Sequence, residues 1–344
     1  MTPTVRLLIL IATGAVVVVH AAAIAMMIAP AAAVAHVLGS ARWAAFAVGT
    51  LTLVTAAAML VRRRQLPMRG SLGLATLAVL LLVSTQYGCS KTAHVKPAPV
   101  QERVEEGQRV FDHARLDAVL GTFVDEFGMV DYAALKARRA DLDAYVGQLA
   151  TASPRSNPEL FPTPAHRMAY WMNAYNALML RAVVDAYPIK SITDIMVAHG
   201  VFSRLSFIVG GKEMTLDDIE KGILLKEHDA ALAHFGVTCA SLGCPRLQRS
   251  AWRAERLEER LHEATRVYLS SRFGVQLDPE RNTVKLTSYF KWYGGDFGND
   301  HLGFVRRYLD DDRQRVLDSM SKPSIEHISY DWRLNDRAAP WRVQ

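Results

Sequence analysis

Residues 168–187 read MAYWMNAYNALMLRAVVDAY, and Pro188 closes the run. Apolar side chains occur at every phase of a 3.6-residue repeat, so the segment predicts a helix with almost no solvent face, buried at the centre of a domain. Asn173 and Asn176 stand three residues apart and share one face of it. Asparagine is unfavourable inside a helix, and a buried amide needs partners. The pair is therefore expected to hold the backbone of a neighbouring loop. The competing reading makes Asn173 a polar stabiliser at a reacting centre.

Working outward, Ser206–Val209, the turn Gly210-Gly211 and Glu213–Leu216 predict a hairpin. Thr215 and Asp218 fit a T-x-x-D cap that opens a helix reaching Leu225. Asp217 and Asp218 suit the positive end of that helix, whereas Glu220 is less well explained by it and remains a site candidate. Ala231–Thr238 reads as a buried strand, and 251–269 as an amphipathic helix with a solvated Arg/Glu face. Gly274–Leu277 and Thr283–Leu286 flank the turn DPERN as a second hairpin, and helical spacing returns over Leu302–Leu309 and 314–320. On the N-terminal side, two helical stretches run through Val110–Val124 and Leu135–Leu149, then a proline-rich loop through Pro154–Pro164. Hairpins mixed with long helices, without regular β-α-β alternation, define an α+β domain with antiparallel sheet.

The first 89 residues have a different composition. They contain no Asp or Glu, and their basic residues are Arg6, Arg42, Arg62, Arg63, Arg64 and Arg69. Of the chain's 40 basic residues, 34 therefore lie in 90–344, against 34 acidic ones, and the whole excess of +6 sits in the apolar end. The basic balance thus points to topology signals rather than to nucleic acid. Leu7–Ile28, Trp43–Val61 and Ser71–Gly88 predict about three transmembrane helices, each near the length needed to cross ~30 Å of hydrocarbon. The expected organisation is a membrane anchor over 1–89, a linker over 90–105 and an extracytoplasmic domain over 106–340. A second reading starts at Met68, where a short basic start and an apolar core lead to Cys89 as in a bacterial lipoprotein signal. In that case Cys89 is the lipidated residue, although Gln86 stands where leucine is usual.

The segment HFGVTCASLGCPRL, from His234 to Leu247, packs an imidazole, two thiols and a hydroxyl together. Three chemistries compete for it. Cys239 serves as a nucleophile with His234 as base, assisted by Asn173, Asn176 or Glu220, in acyl transfer or amide hydrolysis. Alternatively Cys239 and Cys244 pair as a structural disulfide, as an oxidising compartment favours. Metal binding by His234, Cys239 and Cys244 lacks a fourth ligand and the usual tight spacing. On a regular strand His234 and Cys239 would lie about 17 Å apart on opposite faces, so a dyad needs a bend. The aromatic run Tyr289, Phe290, Trp292 and Tyr293 reads first as core, with a cleft wall as the alternative.

The blocks LDAVLGTFVDEFGMVDYAALK, YWMNAYNALML, MTLDDIEKGILL, HFGVTCASLGCPRL, SYFKWYGGDF and YDWRLN occur in this order. Together they resemble the family of domains of unknown function labelled DUF547, over about residues 106–335. The resemblance implies one domain and a bacterial, extracytoplasmic setting, and it supplies no substrate. The expectation is a protein of the bacterial inner membrane with its domain in the periplasm, needing no cofactor and no metal. It acts as a thiol-dependent acyl transferase or amide/peptide hydrolase, or as a non-enzymatic module that binds an envelope protein or a small molecule.

Overall fold

The computed structural model describes residues 91–196 and 199–340. Three short strands come first: β1 (Lys91–Ala93), β2 (Glu102–Glu105) and β3 (Gln108–Phe111). β2 and β3 form a hairpin whose two loop residues, Glu106 and Gly107, both have positive φ. That backbone matches the twist of the paired strands. Helices α1 (Ala114–Phe123), α2 (Tyr132–Ala137) and α3 (Ala140–Thr151) then lead to α4 (Pro164–Ala186).

α4 is the predicted central helix. Thr163 caps its start by accepting the His166 N–H, Pro164 occupies the first turn where no donor is missed, and every residue from Met168 to Leu180 is buried. Each large apolar side chain so enclosed contributes on the order of 1.5–3 kcal/mol. Tyr132, Leu135, Leu142, Tyr145 and Leu149 of α2 and α3 join α4 in one core.

After α5 (Gly200–Ser203), β4 (Leu205–Val209) and β5 (Lys212–Thr215) form the predicted hairpin, turned by Gly210 and Gly211 with φ +55° and +76°. Thr215 and Asp218 cap each other's backbone at the start of α6 (Leu216–Ile219), which passes into a π-helical turn at Glu220–Leu224 and then α7 (Leu225–Glu227). Next come α8 (Ala230–Gly236), α9 (Leu257–Ser270), β6 (Val275–Asp278), β7 (Thr283–Leu286), α10 (Tyr289–Trp292), α11 (His301–Arg306), α12 (Asp311–Ser319) and β8 (Ser324–His327). The C-terminal elements enclose a second core around Phe235, Tyr268, Val284, Leu286, Phe290 and Phe304.

The α+β class describes this domain, but several expectations need correction. Among the described residues no helix is long and apolar enough to cross a membrane, so the fold class is corrected to a mixed α+β domain without a described membrane span. The segments 7–28, 43–61 and 71–88, and Cys89, lie outside the described residues. The stretch 90–105 is more than a linker, because β1 pairs with β4 and β2 pairs with β3. The sheets are mixed: β1 runs parallel to β4 and β7 parallel to β8, whereas β4–β5 and β6–β7 are antiparallel. Finally, Ala231–Thr238 is largely helical. Asp229 accepts the Leu232 N–H as the cap of α8, and extended backbone begins only at Val237.

Candidate functional site

A cleft of about 490 Å³ opens where the two cores meet, and His234, Cys239 and Glu220 all line it. A larger groove, about 1030 Å³, runs past Glu227, Asp229, Glu258 and Glu259. Those four carboxylates are exposed, so that groove is a solvated charged surface rather than a shaped site.

His234 sits in the last turn of α8 and is only 2% exposed. Its Nε2 lies 2.8 Å from Asp296 Oδ2, and its ring packs 4.4 Å from that of Tyr293. Burial holds the imidazole pKa below its ordinary value, while the hydrogen bond to Asp296 and its charge pull the other way. A neutral ring beside an acceptor-only carboxylate places its proton on Nε2, leaving Nδ1 as the basic atom.

Cys239 and Cys244 form a disulfide that closes a short loop. The loop turns at Ala240, with φ +61°, and the Cys239 N–H donates to Cys244 Sγ at 2.9 Å. The Tyr330 hydroxyl stands 3.0 Å from each sulfur and 3.0 Å from Ser241 Oγ. The closing segment of the domain holds the loop by its main chain: Leu242 donates to Arg333, Gly243 to Asp331, and Asn335 to Ala240. Tyr268 adds a hydroxyl bond to the Gly243 carbonyl at 2.8 Å. The sulfur atoms are thus bonded to each other and surrounded by hydroxyls.

The two asparagines of α4 serve the backbone. Asn173 Nδ2 donates to the Trp252 carbonyl at 2.8 Å, and the Trp252 N–H donates to Asn173 Oδ1 at 2.9 Å. Asn176 donates to the Gly236 carbonyl at 3.0 Å and accepts the Thr238 N–H at 2.8 Å. Neither residue lines the cleft. Asn176 fixes the junction between His234 and Cys239, while both amide heteroatoms of Asn173 are engaged by Trp252.

Glu220 opens the π-helical turn, a local widening that often re-aims side chains at functional sites. Its half-buried carboxyl bonds to the Tyr175 and Tyr293 hydroxyls. Burial pushes its pKa up to about 7, with Lys221 opposing and Asp217 reinforcing the shift. Lys221 itself is committed to Asp217 at 2.9 Å.

Tyr289, Trp292 and Tyr293, read from sequence first as core, are wall residues of this cleft, and Trp292 is 45% exposed. Phe290 alone of that run is purely core, at 3% exposure. Trp292, Tyr330 and Trp332 touch one another, with ring centroids 5.1, 5.9 and 4.4 Å apart, and His199 covers Trp332 at 4.5 Å. Sequence reasoning missed Asp296, Tyr330 and Trp332 as site residues. Their only signal was membership of the blocks SYFKWYGGDF and YDWRLN. Among the described residues no group of three or more His, Cys, Asp or Glu side chains is placed to hold a metal ion.

These features define an α+β domain with an aromatic cleft, a carboxyl group on its wall and a disulfide beneath. Residues 161–269 match the model of the family described as "Protein of unknown function, DUF547". The matched span is narrower than 106–335, running from the approach to α4 through α9. It includes Tyr175, Glu220, His234 and the disulfide, and it stops short of Trp292, Asp296, Tyr330 and Trp332. No curated protein and no solved structure matches the chain.

Proposed function

We propose that the domain is a binding module, that the aromatic cleft is its ligand site, and that the Cys239–Cys244 disulfide is structural. The observation that carries this reading is the pairing of both sulfur atoms beneath a cleft walled by aromatic rings. Pockets of this size with apolar walls and a few polar groups are the usual form of small-molecule sites. A disulfide of this kind suits an oxidising compartment outside the cytoplasm, which is the location proposed with it. Alkylation followed by peptide mapping of the full chain tests the reading. Cys239 and Cys244 should stay unlabelled in the native, unreduced protein and both label after reduction and unfolding. Fast native labelling of either one would sink the structural role.

A second reading is favoured by one observation: Cys239 lines the same cleft as the His234–Asp296 pair. A dithiol reductant would convert the disulfide to two thiols and become a disulfide itself. Cys239 thiolate could then attack an acyl carbon, forming a thioester, while the leaving amine takes a proton from the imidazolium of His234. Acyl-enzyme trapping by mass spectrometry after mild reduction, absent in Cys239→Ser, would establish this reading.

A further inference from the structure

We propose that the cleft receives an alkylammonium group, primary or quaternary, with its charge against the Glu220 carboxylate and its methyl or methylene groups against Trp292, Tyr330 and Trp332. The inference rests on the reading of the cleft as the ligand site and names the chemistry of the occupant.

Three features on the cleft wall converge on a cation. The first is the aromatic surface. Trp292, Tyr330 and Trp332 form a contiguous set of rings, and Tyr293 lines the same cleft beside His234. Ring faces carry negative potential and attract a desolvated cation.

The second is the charge inventory. The ionisable groups facing Glu220 are Asp217, Lys221, Tyr175 and Tyr293, with His199, His234 and Tyr330 also on the wall. Lys221 is the sole Lys or Arg on that wall and is already paired with Asp217. Glu220 makes no ion pair within the described residues and is held by tyrosine hydroxyls alone. A carboxylate drawn out of water without a counter-ion is costly, and a ligand ammonium supplies that counter-ion. Burial is what raises the Glu220 pKa, and the nearby Lys221 charge only partly offsets it.

The third is the exclusion of other chemistries. An anionic group would meet two carboxylates and the negative faces of the rings. A neutral apolar group would fill the space and leave Glu220 as poorly solvated as before. A cation with an apolar skin satisfies both the carboxylate and the rings, and supplies charge that a neutral hydroxyl or amide does not.

The test is calorimetric titration of the full-length protein with choline and with its neutral isostere 3,3-dimethylbutan-1-ol, at pH 8 where Glu220 is ionised. Choline should bind at least about tenfold tighter than the alcohol. Glu220→Gln, which keeps the shape and removes the charge, should abolish that preference while leaving the thermal midpoint unchanged or higher. Trp292→Leu, at an exposed rim position, should weaken choline severalfold with the fold intact. Equal binding of choline and the alcohol would overturn the ammonium assignment while leaving the cleft a ligand site. Binding of neither would overturn the assignment too. If a panel of neutral and anionic fragments also failed to perturb Trp292 and Trp332 fluorescence, the ligand-site reading would fall with it.

Discussion

Replacing Asn173 by leucine separates a framework residue from a reacting one. The side chain is 1% exposed, and its two amide atoms satisfy both main-chain groups of Trp252, at 2.8 and 2.9 Å. Leucine keeps the γ-branched shape and is the larger residue, so no cavity forms, but the Trp252 N–H and C=O lose their partners inside the core. Each orphaned backbone group costs about 1–3 kcal/mol, giving roughly 2–6 kcal/mol, with about 4 as the central expectation. A domain of this size moves its thermal midpoint by about 2–4 °C per kcal/mol, so the drop should be ~8–16 °C. Asn173→Ala should be worse, because a cavity adds to the same loss. The assay is thermal unfolding by circular dichroism with amide exchange at Trp252, whose protection should collapse in both variants. A midpoint within about 2 °C of the parent, with Trp252 still protected, would refute the framework role and reopen a part for Asn173 in chemistry.

Removing the disulfide by a double Cys239→Ala, Cys244→Ala change should cost about 2 kcal/mol from loop closure over so few residues, visible as a midpoint loss of ~4–8 °C. An unchanged midpoint would show that the main-chain bonds from Asp331, Arg333 and Asn335 hold the loop unaided. For Glu220, a folded pKa raised to about 7 from 4.5 means that stability is fully present below pH 4.5 and is lost as pH rises through 7. The loss is on the order of 3 kcal/mol and should vanish from the pH profile of urea unfolding in Glu220→Gln; identical profiles would contradict the burial of that carboxyl. Gly210→Ala and Gly211→Ala form a contrasting pair. Both residues have positive φ, but a Cβ at Gly210 would collide with Ser153 whereas one at Gly211 meets nothing within 4 Å. The first should cost about 1–3 kcal/mol more than the second, and equal midpoints would contradict the packing of the turn on Ser153.

The elements legible in the sequence are those whose signal is local. A twenty-residue stretch with no polar face could only be a core helix, and the Gly-Gly turn and the Thr215–Asp218 cap carry their own geometry. The strand expected over Ala231–Thr238 shows where such signals weaken. Eight apolar-rich residues suit either state, and Asp229, the cap that decided for helix, lies just before the window. β1 and β8 were invisible for another reason. Each is a short, polar stretch held by a parallel partner far away in sequence, and neither carries an alternation of its own.

The site divides along the same line. Cys239, His234 and Glu220 were named from residue chemistry and do share a cleft, because Asn176 pins the backbone between the first two and the π-helical turn carries the third. Their grouping does not by itself decide what they do. Asp296 faces His234 from the end of a glycine-rich turn 62 residues away, and Tyr330 reaches both sulfur atoms from beyond the family match. These later residues change the chemistry: the imidazole acquires a carboxylate partner, the sulfur atoms a hydroxyl cover, and the carboxyl of Glu220 a wall of rings. The matched segment 161–269 therefore contains Glu220, Lys221 and His234 of the cleft but not Trp292, Tyr330 and Trp332, the rings proposed to select a ligand. It follows that proteins sharing only that segment can share the disulfide and Glu220 while differing in what they bind, and that ligand preference should move with substitutions at Trp292 and Trp332 rather than at Cys239.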